Sequence, residues 1–103
     1  MKIESLADVG PLLKLVGEPM RWEIVRRLAV EDLCTCHLTG DLDAAQPLIS
    51  HHLRVLRQAG VVHTDKVGAF TYYVLDRDVV ARLADVLGEL AAPSGDHRRR
   101  PCS

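Results

Sequence analysis

The stretch Gln46-Pro47-Leu48-Ile49-Ser50-His51-His52-Leu53-Arg54-Val55-Leu56, followed by Ala59-Gly60-Val61-Val62, decides how the rest of the chain is read. Ile49, Leu53 and Leu56 fall at i, i+4 and i+7, the spacing of one face of an α-helix. The predicted helix runs from Gln46 to Ala59 and stops at Gly60, a residue suited to a helix C-terminus. Away from the apolar face lie Gln46, Ser50, His51 and Arg54, all able to bond base edges or phosphates. A solvated polar face is the plain reading of such residues, so their surroundings must decide.

On the C-terminal side, Val61 to Val67 and Ala69 to Leu75 are rich in Val, Thr, Tyr and Phe and flank Gly68, which predicts a β-hairpin. Asp76 can cap a last helix from Arg77 to Ala91, whose Val79, Val80, Leu83, Val86, Leu87 and Leu90 keep helical period. On the N-terminal side, Leu33 to Leu42 reads as a short helix and a turn. Before it, Pro19 opens a helix whose Trp22, Ile24, Val25, Leu28 and Ala29 share a face. A first amphipathic helix spans Ile3 to Val16, with Gly10-Pro11 either breaking it or setting its start. The order helix, short helix, turn, helix, hairpin predicts a mainly α fold with a β-hairpin wing: a winged helix-turn-helix.

With 103 residues there is room for one modest core, so residues 1–92 are expected to form a single domain and residues 93–103 a flexible Arg/Cys tail. A formal charge of −1 neither requires nor forbids nucleic acid, because the placement of Lys and Arg matters and not their sum. No apolar run approaches the roughly 18 residues of a membrane span, and the first residues lack a secretory pattern, so a cytoplasmic protein without a membrane partner is expected. In a reducing compartment, three cysteines are better read as thiolate ligands or redox centres than as disulfides.

Cys34-Thr35-Cys36 is the sharpest chemical signal. Two thiolates two residues apart can share one soft ion where the backbone is extended or distorted. Inside a regular helix they would point about 200° apart, so joint ligation is expected to deform the start of the short helix. A thiolate near a helix N-terminus is also expected to form readily. The bland alternative is a pair of small buried residues acting as hydrophobes. Cys102 is the available third thiolate, and His37 is a nitrogen donor that is as well read as solvent-facing.

Leu33-Cys34-Thr35-Cys36-His37-Leu38, the Gln46 to Leu56 stretch and Ala59-Gly60-Val61-Val62 together resemble the ArsR/SmtB family of metal-responsive repressors. The resemblance extends into the hairpin and covers most of the chain. It implies DNA contacts at Gln46, Pro47, Ser50 and His51, with Arg54 on a phosphate and a modest contribution from Lys66 in the wing. It also implies a homodimer built from the first and last helices, and so an inverted-repeat operator with recognition helices roughly 34 Å apart on double-stranded DNA. Repression, rather than activation, is inherited from the same resemblance.

The cysteine pair aligns with the inducer site of the arsenical repressors, which often carry a third cysteine where this chain has Thr39. The resemblance thus implies an inducer at Cys34 and Cys36, arsenite or antimonite or alternatively cadmium or lead, and no organic cofactor; either Cys102 on the tail completes a three-coordinate site or the site is two-coordinate. The zinc-sensing branch uses Asp-x-His on the last helix; here the stretch is Asp76-Arg77-Asp78, with no His before His97. His52 is expected to hydrogen-bond within the subunit, and His63 to be a plain surface residue. Three rivals are a redox or persulfide sensor of the same fold, pairing Cys34 or Cys36 with Cys102; more distantly, a cysteine-dependent enzyme; and a winged-helix protein-interaction module without DNA binding, against which the polar face of the Gln46 helix argues. The enzyme reading lacks residues: a phosphatase-like loop needs Arg six after the Cys, where Gly40 and Leu42 stand, and there is no Cys-x-x-Cys.

Overall fold

The computed structural model describes residues 5–93 and 99–102; the expected tail residues His97 and Arg98 lie outside them. Five helices and one hairpin follow in order: α1 (Leu6–Val16), α2 (Pro19–Leu28), α3 (Thr35–Leu42), α4 (Gln46–Gln58), β1 (Val62–Val67), β2 (Phe70–Leu75) and α5 (Arg77–Ala91). This is the winged helix-turn-helix expected from the sequence.

Gly10-Pro11 does not break α1. Pro11 removes one amide donor, yet the buried Val9, Leu12 and Val16 on one side hold the helix against the core. That core is aliphatic: Leu12, Ile24, Leu28, Leu38, Ile49, Leu53 and Leu56 are all essentially inaccessible to solvent. The face assigned to α2 is narrower than expected. Ile24, Val25 and Leu28 are buried, whereas Trp22 stays 49% exposed and Ala29 is exposed too. On α5 only Val86 is buried, with Val80 and Leu90 facing out.

Between α3 and α4, Asp43 sits at φ 48°, the left-handed conformation that short polar side chains tolerate, and the chain turns there. Pro47 lies in the first turn of α4, where its missing amide costs nothing. The hairpin is antiparallel, with Val62 opposite Leu75 and Val67 opposite Phe70. It closes through Gly68-Ala69, with Gly68 at φ 62° in a position that any L side chain would strain. The Asp76 carboxylate accepts from the Val79 amide at 3.1 Å, the N-cap expected of it.

Candidate regulatory site and nucleic-acid interface

Leu33 stops short of α3 and pairs with the wing. Its amide donates to the Tyr73 carbonyl at 3.3 Å, and the Tyr73 amide donates back to Leu33 at 2.8 Å. This bridge keeps the next residue extended, so Cys34 is the N-cap of α3, at φ −82° and ψ 162°. The expected deformation of the helix is therefore not needed. Because Cys34 lies outside the helix, the 200° separation of i and i+2 does not apply. Its sulfur, that of Cys36 and a ring nitrogen of His37 already lie within 4.8 Å of one another.

Cys34 is buried, whereas Cys36 and His37 are exposed. The helix N-terminus does not make the Cys34 thiolate easy to form. Burial, then the neighbouring Cys36, push the Cys34 thiol up, and a hydrogen bond from Tyr72 offsets this only in part. His37 is neither idle nor freely available as a donor, because its Nδ1 accepts from the Cys34 amide at 3.0 Å. This is the reciprocal arm of a capping box, with a thiol and an imidazole where a hydroxyl and a carboxylate usually stand. A neutral imidazole whose Nδ1 accepts carries its proton on Nε2, so ligation by His37 requires the cap bond to be given up. Cys102 is exposed and does not belong to this cluster.

The sulfurs open into a cleft of about 490 Å³ lined by Cys34, Thr35, Cys36, Thr39, Gln46 and the wing-tip residues Ala69, Phe70 and Thr71. One cleft thus touches the cysteine pair, the first residue of α4 and the turn of the hairpin. Nothing in the sequence pattern announced the wing's share. Cys-x-x-His, with the spacing of a capping box, was the signal that could have revealed the role of His37.

On α4, Gln46, Pro47, His51 and Arg54 are exposed and Ser50 is half-buried, while Lys66 is exposed on β1. The five α4 residues lie along one helix that is anchored from beneath. His52 is buried, and its Nδ1 accepts from Arg21 at 3.0 Å; Arg21 Nε in turn donates to the Leu15 carbonyl at 2.6 Å. Burial holds the His52 pKa below the usual imidazole range, and the nearby Glu18 carboxylate, 3.7 Å away, counters this. His52 therefore acts within the subunit, as expected. His63 does more than decorate the surface: its Nε2 meets the Asp76 carboxylate at 2.5 Å, tying β1 to the start of α5. That contact and the Val79 amide hold the Asp76 carboxyl below its ordinary range.

Residues 18–64, from α2 through the start of the wing, match the family model described as bacterial regulatory protein, arsR family. An uncharacterised HTH-type transcriptional regulator of Methanocaldococcus jannaschii is 33% identical over 89 residues, spanning 85% of this chain and all of the relative. The chain belongs to the ArsR family. Another member, the arsenical resistance operon repressor of Escherichia coli, is 35% identical over 76% of this chain and 68% of its own length. A crystal structure titled as a possible transcriptional regulator for arsenical resistance superposes with a TM-score of 0.68 at 33% identity, covering 79% of this chain and 84% of that one. These ArsR-family relatives are transcriptional regulators and not enzymes. No helix among the described residues is long and apolar enough to cross a membrane.

Proposed function

We propose that this ArsR-family protein is a cytoplasmic repressor that binds double-stranded operator DNA through α4 and lets go when Cys34 and Cys36 capture a soft ion. The observation that carries the reading is the approach of two sulfurs to within 4.8 Å in a cleft that also contains Gln46. Two thiolates suit trivalent arsenic or antimony, and also cadmium or lead, better than a hard cation. The E. coli relative, by its name a repressor of arsenical resistance, supports arsenic as the first ion to test. An ion with three exchangeable positions needs a further donor. Cys102 supplies it only where the tail folds back onto α3, and His37 only by leaving its cap.

Gln46, Pro47, Ser50 and His51 are assigned to base edges and nearby phosphates, and Arg54 and Lys66 to the backbone. Coupling arises because Gln46 opens α4 beside the sulfurs: a ligand that fills the cleft favours a position of Gln46 and α3 different from the one DNA selects. The protein is assigned as a homodimer. Leu6 and Leu13 on α1, Trp22 on α2, and Val80 and Leu90 on α5 are 39 to 69% exposed. Trp22 and Val80 also line a mostly apolar hollow of about 310 Å³ beside α1, α2 and α5, a face that a second copy would cover. The two α4 helices of such a dimer would meet an inverted repeat.

The test is fluorescence anisotropy of reduced protein on its own upstream DNA, titrated with arsenite, antimonite, cadmium and lead. Release of DNA that disappears in Cys34→Ser and Cys36→Ser supports the reading, and Cys102→Ser decides the third donor. Release by oxidant or polysulfide alone, with no ion effective, transfers the assignment to a redox sensor using the same thiols.

A further inference from the structure

Three helices are joined through the side chain of Arg21. The last carbonyls of an α-helix have no partner within it, and the Leu15 carbonyl near the end of α1 is one of these; Arg21 Nε on α2 donates to it at 2.6 Å. The Nη1 of the same guanidinium donates to His52 Nδ1 on α4 at 3.0 Å. A guanidinium is a rigid planar fork, so the two bonds together set how α4 stands relative to α1. His52 itself is buried, while the residues before it, His51 and Ser50, are exposed and half-buried and are assigned to DNA above.

Arginine has only N–H donors, so Nδ1 of His52 must be the acceptor in this bond, a role that only the neutral ring can fill. A second partner stands beside the same nitrogen. Glu18 Oε2 lies 3.7 Å away, beyond hydrogen-bond distance, and the neutral ring has no proton on Nδ1 to give it. That carboxylate is fixed in place, because it caps α2 by accepting from the Arg21 amide at 2.9 Å. Uptake of one solvent proton on Nδ1 reverses the choice: the imidazolium repels the guanidinium and donates to the carboxylate. The charged and titratable groups that bear on His52 are Glu18 and Arg21 at the start of α2 and His51 on α4 itself.

From this shared nitrogen we infer that Arg21 is a positioning residue for operator recognition, holding α4 at the angle the operator requires only while His52 is neutral, so that specific DNA binding is lost in acid. The inference rests on the assignment of α4 to DNA made above and adds a control that involves neither sulfur. Leu6 and Leu13 place α1 in the face assigned to a second copy, so a shift at the Arg21 joint changes the separation of the two α4 helices. An inverted repeat is sensitive to that separation, whereas a random duplex, held by phosphate attraction alone, is not. The sign follows from the bond: DNA selects the neutral ring, and affinity for the operator declines as pH falls through the folded value of His52. Burial holds that value below the usual imidazole range.

The experiment measures the affinity of the full reduced chain, with no metal added, for its upstream DNA and for a random duplex of equal length. Anisotropy is read at fixed salt from about pH 8 to about pH 5, a span around the ordinary imidazole value, wherever circular dichroism shows the native fold. The ratio of upstream to random affinity cancels the general gain in phosphate attraction that acid brings. That ratio should fall about 5-fold or more on acidification, the lower end of site-to-site couplings. His52→Asn puts an amide oxygen in the place of Nδ1 and takes up no proton, so its ratio should hold near the wild-type neutral value throughout. Arg21→Lys keeps the charge but lacks the fork that spans both partners, so its ratio should be low at neutral pH and flat. A wild-type ratio indifferent to pH, or one that falls equally in His52→Asn, overturns the inference. If His52→Asn does not fold, Arg21→Lys decides, and a wild-type-like fall in it overturns the inference too. Operator affinity left untouched by Gln46→Ala and Arg54→Ala would instead overturn the assignment of α4 to DNA, and the inference with it.

Discussion

Two helix starts in this molecule are built on the same plan from different chemistry. At α5, Asp76 caps with a carboxylate and is gripped by His63 from the neighbouring strand. At α3, Cys34 occupies the cap with a thiol, and His37 returns a single bond to the Cys34 amide. A carboxylate is a strong acceptor for orphan amides, and a thiol is a weak one. The first start is therefore a fixed joint between wing and last helix. The second ends its helix on a weaker acceptor, a thiol, whose chemistry suits a soft ion better than an amide. A weak cap made of metal-avid side chains is a place where an incoming ligand can take over the work of ending the helix.

The largest effect that would break this contrast is on induction. Cys34→Ser and Cys36→Ser should each raise the ion concentration needed for DNA release by at least about 100-fold, in line with the upper range of site-to-site couplings. Cys34→Ser should do so without loss of stability, because serine is the better cap; a thermal melt lower than wild type would show that the thiol is a structural residue after all. Next in size, Asp76→Ala should cost about 1–2 kcal/mol and lower Tm by roughly 4–8 °C per kcal/mol, with DNA release by the ion retained.

The two starts should also separate by pH. The Asp76 carboxyl is held below its ordinary range in the folded chain, so its contribution is fully present above the unfolded carboxylate value and is lost as pH falls through the folded one. His52, whose folded pKa is also lowered, adds stability above about pH 6.5 that declines as pH falls below that value, because the unfolded chain takes up the proton first. His52→Gln should flatten the mildly acidic part of a stability curve, and Asp76→Asn the more acidic part. If both variants change the same pH window, the assignment of causes is wrong. The smallest effect expected is from His37→Ala, about 0.5 kcal/mol for one part-buried hydrogen bond, read from urea unfolding.

Much of this was legible from residues alone. The spacing of Ile49, Leu53 and Leu56, the stop at Gly60 and the hairpin around Gly68 are local signals, and the structure follows them closely. Cys34-Thr35-Cys36 was visible as a thiol pair, but its geometry was not. Whether i and i+2 meet depends on the Leu33–Tyr73 bridge, a contact across forty residues that no local pattern encodes. For the same reason the wing tip's place in the cleft and the His63–Asp76 pair stayed hidden. Trp22 misled because its spacing fits a core face; the core of one chain does not cover it, and periodicity cannot tell a buried face from one awaiting a partner.

The central claim is that ligation at the weakly capped α3 and DNA binding by α4 oppose each other. Its most direct test is reciprocity: the affinity of the reduced protein for arsenite, measured with and without saturating operator DNA. The account predicts that DNA weakens ligand binding by the same factor by which the ligand weakens DNA binding, about 5- to 150-fold. A ligand affinity unchanged by DNA would contradict it.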